Sequence, residues 1–508
     1  MRKIYLAFTV FMFFLNGNAQ GVKEALQYSV MDMSGTARFR GLSGAFGALG
    51  GDLSAISINP ASSVVFANNQ IAFTLGSKST GIKSEYLGTN TTTNSNNLDF
   101  NQVGGVFVFE NDNQYSGWNK FALALNYDNQ ANFKNTVSVL GENSVNSIDA
   151  YFLKYSRGMV FSDISGLSYS QMGFNQTQVA LGYKSQLLDY DTVNNVFFAN
   201  ISHAPDGKNY IQQSFVTNTG YNGKLAFNFS AEYDKKILFG MNLNAHFSDY
   251  TQQKTFTEKN NKAYYATRAT INELSFYNEL TTKGSGFSFQ LGAIFKPVAG
   301  LRLGLVFESP TWMVLEDQLT QRISTSGVVK NIGNSTYNPI SNKIDPRTVI
   351  LFAPYTIATP AKWTFSQAYV FGKQGLISFD YSLKDYSTIV FKPINQFNDP
   401  DGNNSNNVFP NLFRTSNEIR VGIEKKIKQW SLRGGYRYEE SPYKNKDLMS
   451  DLVGFSAGLG YNWGGTKLDI AFSSAKRSYK EQIFESIPNL VNTTKTNNNL
   501  VITLAFEL

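Results

Sequence analysis

The segment ILFGMNLNAHF, residues 237–247, alternates apolar and polar side chains at every second position. In an extended chain the apolar residues Phe239, Met241 and Leu243 share one face. The opposite face carries Gly240, Asn242, Asn244 and His246. Because successive side chains of a strand point to opposite faces, this period of two predicts a β-strand with one apolar face.

The same alternation recurs along the chain, so the prediction is an all-β fold. Further segments of this kind are FALALNY (121–127), LAFNFSAEY (225–233), FSFQLGAIF (287–295), LRLGLVF (301–307), WTFSQAYVF (363–371), LISFDY (376–381), FSAGLGY (455–461) and LVITLAFEL (500–508). Alternation alone does not separate a membrane barrel from a soluble sandwich or propeller.

The connections between these segments favour the membrane barrel. Short turns are expected at 112–119, 234–236, 296–300, 372–375, 426–429 and 464–465. Long polar loops are expected between them, at 79–97, 131–209, 251–271, 327–345, 391–413 and 479–496. Short turns at one end and long loops at the other are typical of outer-membrane barrels. Counting one strand between each short turn and the next long loop gives about fourteen antiparallel strands.

Composition supports a lipid-facing barrel. Charged residues make up 16% of the chain, aromatic residues 14% and hydrophobic residues only 42%, whereas soluble domains carry about 25% charged residues. Aromatic side chains at strand ends are expected to form girdles at the membrane interfaces. They are Trp118, Tyr127, Tyr233, Trp363, Trp430 and Tyr461.

Residues 1–19 have the pattern of a secretory signal peptide, with cleavage expected after Ala19. A short transmembrane anchor is the alternative, but the apolar run is shorter than a bilayer requires. The formal charge is 45 − 38 = +7, and removal of Arg2 and Lys3 with the signal leaves +5. The sequence contains no block of Lys and Arg residues of the kind that predicts nucleic-acid binding.

A glycine-rich stretch, GLSGAFGALGGDLSAISINPAS at 41–62, matches no ordinary element. It has too many helix breakers to span a membrane, and its glycines have neither the phosphate-loop nor the dinucleotide-loop spacing. Glycines three residues apart leave a surface against which another backbone can pack closely. The stretch is therefore expected to lie tightly packed inside a larger structure.

With its neighbours this stretch reads GTARFRGLSGAFGALGGDLSAISINPAS (35–62), and it resembles the start of FadL-type outer-membrane transporters. Members of that family have the motif G-A-R-x-x-G-x-x-G-A-F at this place. A stretch of small residues that includes an Asp follows, and then the sequence N-P-A. Further similar segments are GAIFKPVAGLRLGLVFESPT (292–311), TPAKWTFSQAYVF (359–371), RVGIEKKIKQWSLRGGYRYEESP (420–442) and GLGYNWGGTKLDIAFS (458–473). The signal and the Asn-rich loops resemble the Bacteroidota branch.

The resemblance implies a location in the outer membrane of a Gram-negative bacterium. It also implies that residues 20–67 form a hatch inside a barrel of residues 68–508. The residues implied to form the hatch gate are Gly44, Phe46, Asp52, Asn59, Pro60 and Ala61. The implied function is passive uptake of a hydrophobic small molecule, most simply a long-chain fatty acid, with a hatch shift that releases it laterally into the membrane lipids.

The loop at 131–209 carries more apolar surface than a connection needs. The segment QVALGYKSQLLDY (178–190) could form a helix with an apolar stripe. The loop could pack on its own barrel rim, or it could capture a ligand. The candidate capture residues are Met159, Phe161, Met172, Phe174, Leu187 and Leu188.

For the uptake function, Arg302, Arg420 and Arg433 are candidate cations of the lumen that could meet a ligand carboxylate. The resemblance leaves one alternative open: the barrel is a subunit of a larger outer-membrane secretion or assembly complex, with the long loop contacting other outer-membrane proteins. Haem binding and catalysis are disfavoured, because there is no cysteine and the two histidines, His203 and His246, have no spaced partner. No cofactor or metal is expected.

Overall fold

A computed structural model describes residues 21–113, 115–201, 209–260, 269–330, 336–394, 397, 404–484 and 486–508. The predicted signal peptide and His203 lie outside these residues. Residues 21–67, the described part of the predicted hatch, precede the first strand and pack against lumen-facing side chains of the barrel; they are called the hatch below, and its limits stay a prediction. The hatch contains α1 (Val22–Ser29), α2 (Ala37–Gly41) and two short 3-10 helices, Leu53–Ser57 and Pro60–Val65.

The remainder of the chain is mainly strands. The segments along the first half are β1 (Gln70–Tyr86), β2 (Thr89–Glu110), β3 (Trp118–Asn132), β4 (Asn135–Ser144), β5 (Leu188–Asp191), β6 (Val196–Ala199), β7 (Tyr210–Tyr233), β8 (Ile237–Asn260), β9 (Thr270–Phe295) and β10 (Leu301–Glu308). The second half contains β11 (Trp312–Lys330), β12 (Tyr337–Ile344), β13 (Ile350–Leu351), β14 (Tyr355–Ala358), β15 (Lys362–Val370), β16 (Gly375–Asp385), β17 (Val390–Lys392), β18 (Thr415–Ile427), β19 (Trp430–Glu439), β20 (Leu452–Asn462), β21 (Thr466–Gln482) and β22 (Leu490–Glu507).

Across the described residues these segments form a closed antiparallel barrel of 14 strands, as the sequence predicted. Four barrel strands consist of consecutive segments: β3 with β4 (strand 3), β10 with β11 (strand 7), β12 to β15 (strand 8) and β16 with β17 (strand 9). The hairpin β5–β6 lies apart. Strand 1 pairs with both strand 2 and strand 14, so the sheet closes on itself.

The alternation seen in the sequence separates lipid-facing from lumen-facing residues. On β8, Phe239, Met241 and Leu243 are 41–48% exposed, whereas Asn242 and Asn244 are at most 1% exposed. Predicted girdle aromatics pair on the outer surface near the short turns. Trp118 meets Tyr233 at 5.2 Å between ring centroids, and Trp430 meets Tyr461 at 4.7 Å.

Several predicted loops are in fact strand extensions beyond the apolar belt. The predicted loop 79–97 is almost entirely β-hairpin, with its turn at Leu87–Gly88. Both faces of a strand above the membrane meet water, so residues such as TNTTTNSNN (89–97) carry no apolar period. The β2–β3 ladder ends at Gln102 and Asp128. Beyond it, side chains bridge strands 2 and 3, since Thr93 Oγ1 donates to the Thr136 carbonyl at 2.6 Å.

The predicted loop 131–209 begins with strand β4 and then forms a folded lid, residues 145–201. The lid contains α3 (Asp149–Ser156), α4 (Phe174–Lys184), two 3-10 turns (Phe161–Asp163 and Tyr169–Gln171) and the β5–β6 hairpin. The helix predicted at 178–190 lies over 174–184 instead, and Leu188 belongs to β5.

Helix α5 (Ser405–Leu412) lies in the connection between strands 9 and 10, and a 3-10 turn (Tyr386–Thr388) lies within strand 9, between β16 and β17. No helix in the described ranges is long and apolar enough to cross a membrane.

Candidate functional site

Asp52 joins two turns of the hatch. Its carboxylate accepts hydrogen bonds from Thr36 Oγ1 at 2.8 Å and from the backbone N–H of Ser54 at 2.9 Å. The second bond caps the 3-10 helix Leu53–Ser57, whose first N–H groups lack partners within the helix. Burial raises the pKa of Asp52 above its ordinary value, although nearby Arg38 opposes the shift. Asp52 therefore fixes the fold of the hatch rather than facing open solvent.

Asn59 connects the hatch to the barrel wall. Its Nδ2 donates to the carbonyl of Gly47 at 2.6 Å and to that of Ala293 at 3.2 Å, on β9. Its Oδ1 accepts from the N–H of Ala61 at 3.0 Å, where Pro60 begins a 3-10 helix. One side chain thus holds the glycine-rich turn, the wall and the last helix of the hatch together.

Phe46 is fully buried at the centre of the hatch, beside Phe39 with 5.5 Å between ring centroids. The backbone N–H groups of Phe46 and Gly47 both donate to Asp380 Oδ2 at 2.9 Å. Asp380 lies on β16, so a wall carboxylate holds this turn. Gly44 precedes it with φ +76°, a conformation that L side chains rarely adopt.

Glycines of the wall allow the hatch backbone to approach it. A Cβ added to Gly240 would lie 2.3 Å from the backbone nitrogen of Ala61, and one added to Gly304 would lie 2.3 Å from the carbonyl oxygen of Gly47. At Gly292 it would lie 2.0 Å from Asn59 Oδ1. These three wall glycines, on barrel strands 5, 6 and 7, leave room for the segment Gly47–Ala61.

A buried ionic network holds α2 to the other side of the wall. Arg38 of the hatch donates to Glu424 at 3.0 Å. Arg433 donates to the same carboxylate at 2.7 Å and to Asp469 at 2.5 Å. The Glu424 side chain is fully buried between the two guanidinium groups. We call these four residues the latch.

The predicted lumen cations all face the hatch. Arg433 belongs to the latch, and Arg302 donates to the carbonyl of Leu49. Arg420 pairs with Glu418 and reaches the carbonyl of Gly44 at 3.5 Å. All three guanidinium groups are therefore engaged by the protein itself. Their predicted role as partners of a ligand carboxylate stays a prediction.

Two cavities flank the hatch, and both are lined by charge. One lies on the extracellular side of the hatch. Its cations are Lys224, Lys362, Lys384, Arg420, Arg437 and Arg477, and its carboxylates include Asp32, Asp128, Glu308, Glu418 and Glu439. The periplasmic one includes all four latch residues in its lining.

His246 faces the lumen on β8, where its Nε2 shares a hydrogen bond of 2.8 Å with Ser288 Oγ. In the ranges that the structure covers, no group of His, Asp and Glu side chains is arranged to hold a metal ion.

A sequence profile of the family described as outer membrane protein transport protein (OMPP1/FadL/TodX) matches residues 199–506, which span barrel strands 4 to 14. The chain belongs to this family. The resemblance to FadL-type transporters is thereby confirmed, and so is the location in the outer membrane of a Gram-negative bacterium.

Solved structures share the fold of this OMPP1/FadL/TodX protein. A FadL homologue from Pseudomonas aeruginosa is 12% identical, with 94% of this chain and 99% of that chain covered and a TM-score of 0.53. The toluene transporter TodX of P. putida is 13% identical, with 94% and 99% covered and a TM-score of 0.51. No curated protein sequence matches the chain.

The lid of this family member is folded against the barrel rather than open. Leu187 and Leu188 are at most 1% exposed, Met172 and Phe174 are buried, and Met159 and Phe161 are partly buried. The lid packs on inward-facing side chains of the extracellular strand ends. They include Ile82, Tyr86, Phe256, Phe276 and Ile323. The six predicted capture residues therefore share one apolar core with the barrel mouth.

Leu187→Asp is expected to detach the lid, because it places an unpaired carboxylate in this core at a cost of several kcal/mol. Limited proteolysis of outer-membrane vesicles should then cut residues 145–201 at least about tenfold faster, since 1.4 kcal/mol already corresponds to a factor of ten. Val193→Asp is the control, because Val193 is 84% exposed at the tip of the β5–β6 hairpin. Equal cleavage rates for both variants would show that the lid core is not stabilising.

Sequence reasoning missed the wall residues that hold the hatch of this OMPP1/FadL/TodX chain. Glu424, Asp469 and Asp380 all lie at lumen-facing strand positions. The signal that could have found them is a carboxylate on the polar face of an otherwise alternating strand. The wall glycines had a similar signal, because glycine weakens a strand unless another backbone approaches it closely.

Proposed function

We infer that the protein takes up a hydrophobic small molecule by passive transport, most simply a long-chain fatty acid. The ligand is captured at the lid, reaches the lumen above the hatch and leaves laterally into the bilayer when the hatch shifts. Membership of a transport family supports this route. So do the shared folds of proteins described as a toluene transporter and a monoaromatic hydrocarbon channel.

The charged lining of both cavities carries the argument for lateral release. An apolar ligand that crossed the hatch towards the periplasm would fill first one charged cavity and then the other. In each it would displace the water that solvates buried charges, which costs free energy. Leaving through the wall avoids the second cavity. Burial of an acyl chain in lipid then stabilises the ligand by about 0.8 kcal/mol for each CH₂ group.

The hatch is suited to a shift because side-chain hydrogen bonds and ion pairs fix it to the wall. Asn59, Asp380 and the latch make these bonds, and none of them requires a strand of the barrel to open. Water can replace each bond individually, so the hatch can move while the 14-stranded sheet stays closed.

The experiment is uptake of a fluorescent fatty acid by cells carrying the Asn59→Ala, Pro60→Ala double variant. Loss of the three Asn59 bonds should abolish uptake while heat-modifiable mobility of the barrel stays normal. The chain offers a matched control, Asn338→Ala with Pro339→Ala, at a second Asn-Pro pair that is exposed on β12. Unchanged uptake in the Asn59 variant would refute the role of these residues in the gate.

The same assay separates transport from the alternative role as a subunit of a secretion or assembly complex. If wild-type protein takes up neither a fatty acid nor an aromatic hydrocarbon, and it purifies with a defined set of other polypeptides, the transport proposal is wrong. Uptake by the purified barrel alone in lipid vesicles would support transport. Weaker acyl binding after Leu187→Asp and Leu188→Asp would show that ligand capture needs an intact lid.

A further inference from the structure

Three adjacent barrel strands are interrupted at the same level. Strand 7 breaks at Ser309–Thr311, strand 8 at Thr359–Ala361 and strand 9 at Tyr386–Ile389. The last paired residues below the break are Glu308, Lys362 and Lys384. Pairing resumes above it at Trp312, Ala358 and Val390. The three breaks therefore form one continuous gap in the pairing of strands 7, 8 and 9.

The gap is bridged unevenly. Between strands 7 and 8, the N–H of Thr359 donates to the Thr311 carbonyl at 3.0 Å, and the N–H of Thr311 donates to Thr359 Oγ1 at 2.9 Å. Between strands 8 and 9, no hydrogen bond within the described ranges joins residues 359–361 to 385–389. Unpaired backbone is costly where a wall faces lipid. Pro360 adds to the gap because proline has no N–H to donate.

The space inside the wall directly above the gap is apolar and is filled by α1 of the hatch; it is called the chamber below. Its buried lining comes mainly from β11, β14, β17 and α5, and includes Met313, Leu315, Tyr355, Ile357, Phe391 and Phe409. Phe391 meets Tyr355 at 5.7 Å and Phe409 at 5.5 Å between ring centroids, both edge to face. This chamber contrasts with the charged cavity beside it, because its lining is mainly aliphatic and aromatic; the carboxylate of Asp317 lies at its edge, where it accepts a hydrogen bond from the Tyr355 hydroxyl at 3.2 Å.

Helix α1 of the hatch fills the chamber with Ala25, Leu26 and neighbouring apolar side chains. Within the described residues, neither α1 nor the segment 31–35 makes a backbone–backbone hydrogen bond to the barrel. Its polar anchors are few. Lys384 Nζ donates to the Ser29 carbonyl at 2.6 Å, and Lys23 lies 3.5 Å from Glu481. A ligand that replaces these apolar contacts can therefore displace α1 without breaking a strand.

The outer surface at this level is aromatic. Trp312 and Trp363 flank the gap and are 39% and 45% exposed. Tryptophan side chains at such positions mark the boundary between the hydrocarbon core and the headgroups. An opening here therefore leads into the outer leaflet.

We propose that this chamber binds the apolar body of the ligand in place of α1, and that the ligand enters the bilayer through the gap between strands 8 and 9. The site rests on the proposed transport function and adds to it a binding chamber and an exit. Displacement of α1 couples ligand binding to the rest of the hatch, because α1 and α2 belong to one continuous segment.

The exit is tested with disulfides, which the chain permits because it has no cysteine of its own. Ala358→Cys with Val390→Cys joins strands 8 and 9 at the first pair above the gap. Thr364→Cys with Ser382→Cys joins the same strands in the intact ladder below, where the native side chains are 2.8 Å apart. Directly opposed residues of antiparallel strands have the spacing that a disulfide requires.

The readout is release of a fluorescent fatty acid into vesicle lipid. The oxidised 358/390 variant should lose most of the release and regain it on reduction, whereas the 364/382 variant should match wild type. Ser95→Cys with Thr136→Cys closes the side-chain-bridged boundary of strands 2 and 3. If that pair alone stops release, the exit lies there and the proposal is overturned.

Binding is measured separately with a diazirine-bearing alkylbenzene and peptide mapping. Leu26→Asp should expel α1 and raise labelling of β11, β14 and β17 several-fold, and Gln27→Ala, on the same helix but outside the apolar cluster, should leave it unchanged. Absence of labelling in both variants would show that the ligand does not bind in the chamber. Chamber labelling in a wild-type protein that releases no probe would support the binding site while refuting both the exit and the transport function.

Discussion

Gly240→Leu is expected to expel the hatch from the barrel. The new Cβ would lie 2.3 Å from the backbone nitrogen of Ala61 and 2.3 Å from the carbonyl carbon of Pro60. These are backbone atoms, so no rotamer change relieves the clash, and the rest of the leucine side chain enlarges it. Overpacking of this kind costs about 3 kcal/mol or more. This cost lowers the ratio of docked to undocked hatch by a factor of about 100.

The measurement is ion conductance of the purified protein in planar bilayers. Gly240→Leu should convert a closed barrel into one with frequent open steps, while barrel mobility on unheated gels stays normal. Gly434→Leu is the matched control, because an added Cβ on this wall glycine has no neighbour within 4 Å. A closed Gly240→Leu barrel would mean that the hatch does not need this close approach.

Glu424→Ala is expected to release the other side of the hatch. Glu424 lies between Arg38 and Arg433, and its removal leaves two buried guanidinium groups facing each other. Removing one member of a buried ionic network costs about 3–5 kcal/mol. The loss falls on the hatch because Arg38 is the latch residue that the hatch contributes.

Hydrogen exchange at the amides of residues 36–41 reports this loss directly. The exchange should accelerate by about two to three orders of magnitude, as the expected 3–5 kcal/mol implies. Glu507→Ala is the control: its partner Lys467 is 33% exposed, and such pairs contribute about 1 kcal/mol or less. Equal protection in wild type and Glu424→Ala would show that Asn59 and Asp380 hold the hatch without the latch.

Much of the barrel could be predicted from the sequence because lipid and lumen impose opposite polarity on alternate residues. That rule identified the strand at 237–247 and the lumen-facing positions of Arg302, Arg420 and Arg433. It failed where both faces meet water, so the hairpin at 79–97 was predicted to be a loop.

The partners of the site residues could not be predicted, because they lie far away in sequence. Nothing local to Arg420 shows that a hatch carbonyl approaches it, and nothing local to Leu187 shows which strands bury it. Alternation gives the face on which a side chain lies. It does not give the segment that fills the space opposite.

The hydrogen bond from the N–H of Ala37 to Thr503 Oγ1, 2.7 Å long, joins residues 466 positions apart. Thr503 lies on β22, so the hatch has no complete binding surface until the final strand has paired with β1. Contacts this distant form slowly, because the intervening chain must be ordered first. Docking of the hatch is therefore a late step in biogenesis, although its residues precede the whole barrel. Until then its apolar side chains meet water, which favours aggregation of the unfinished protein.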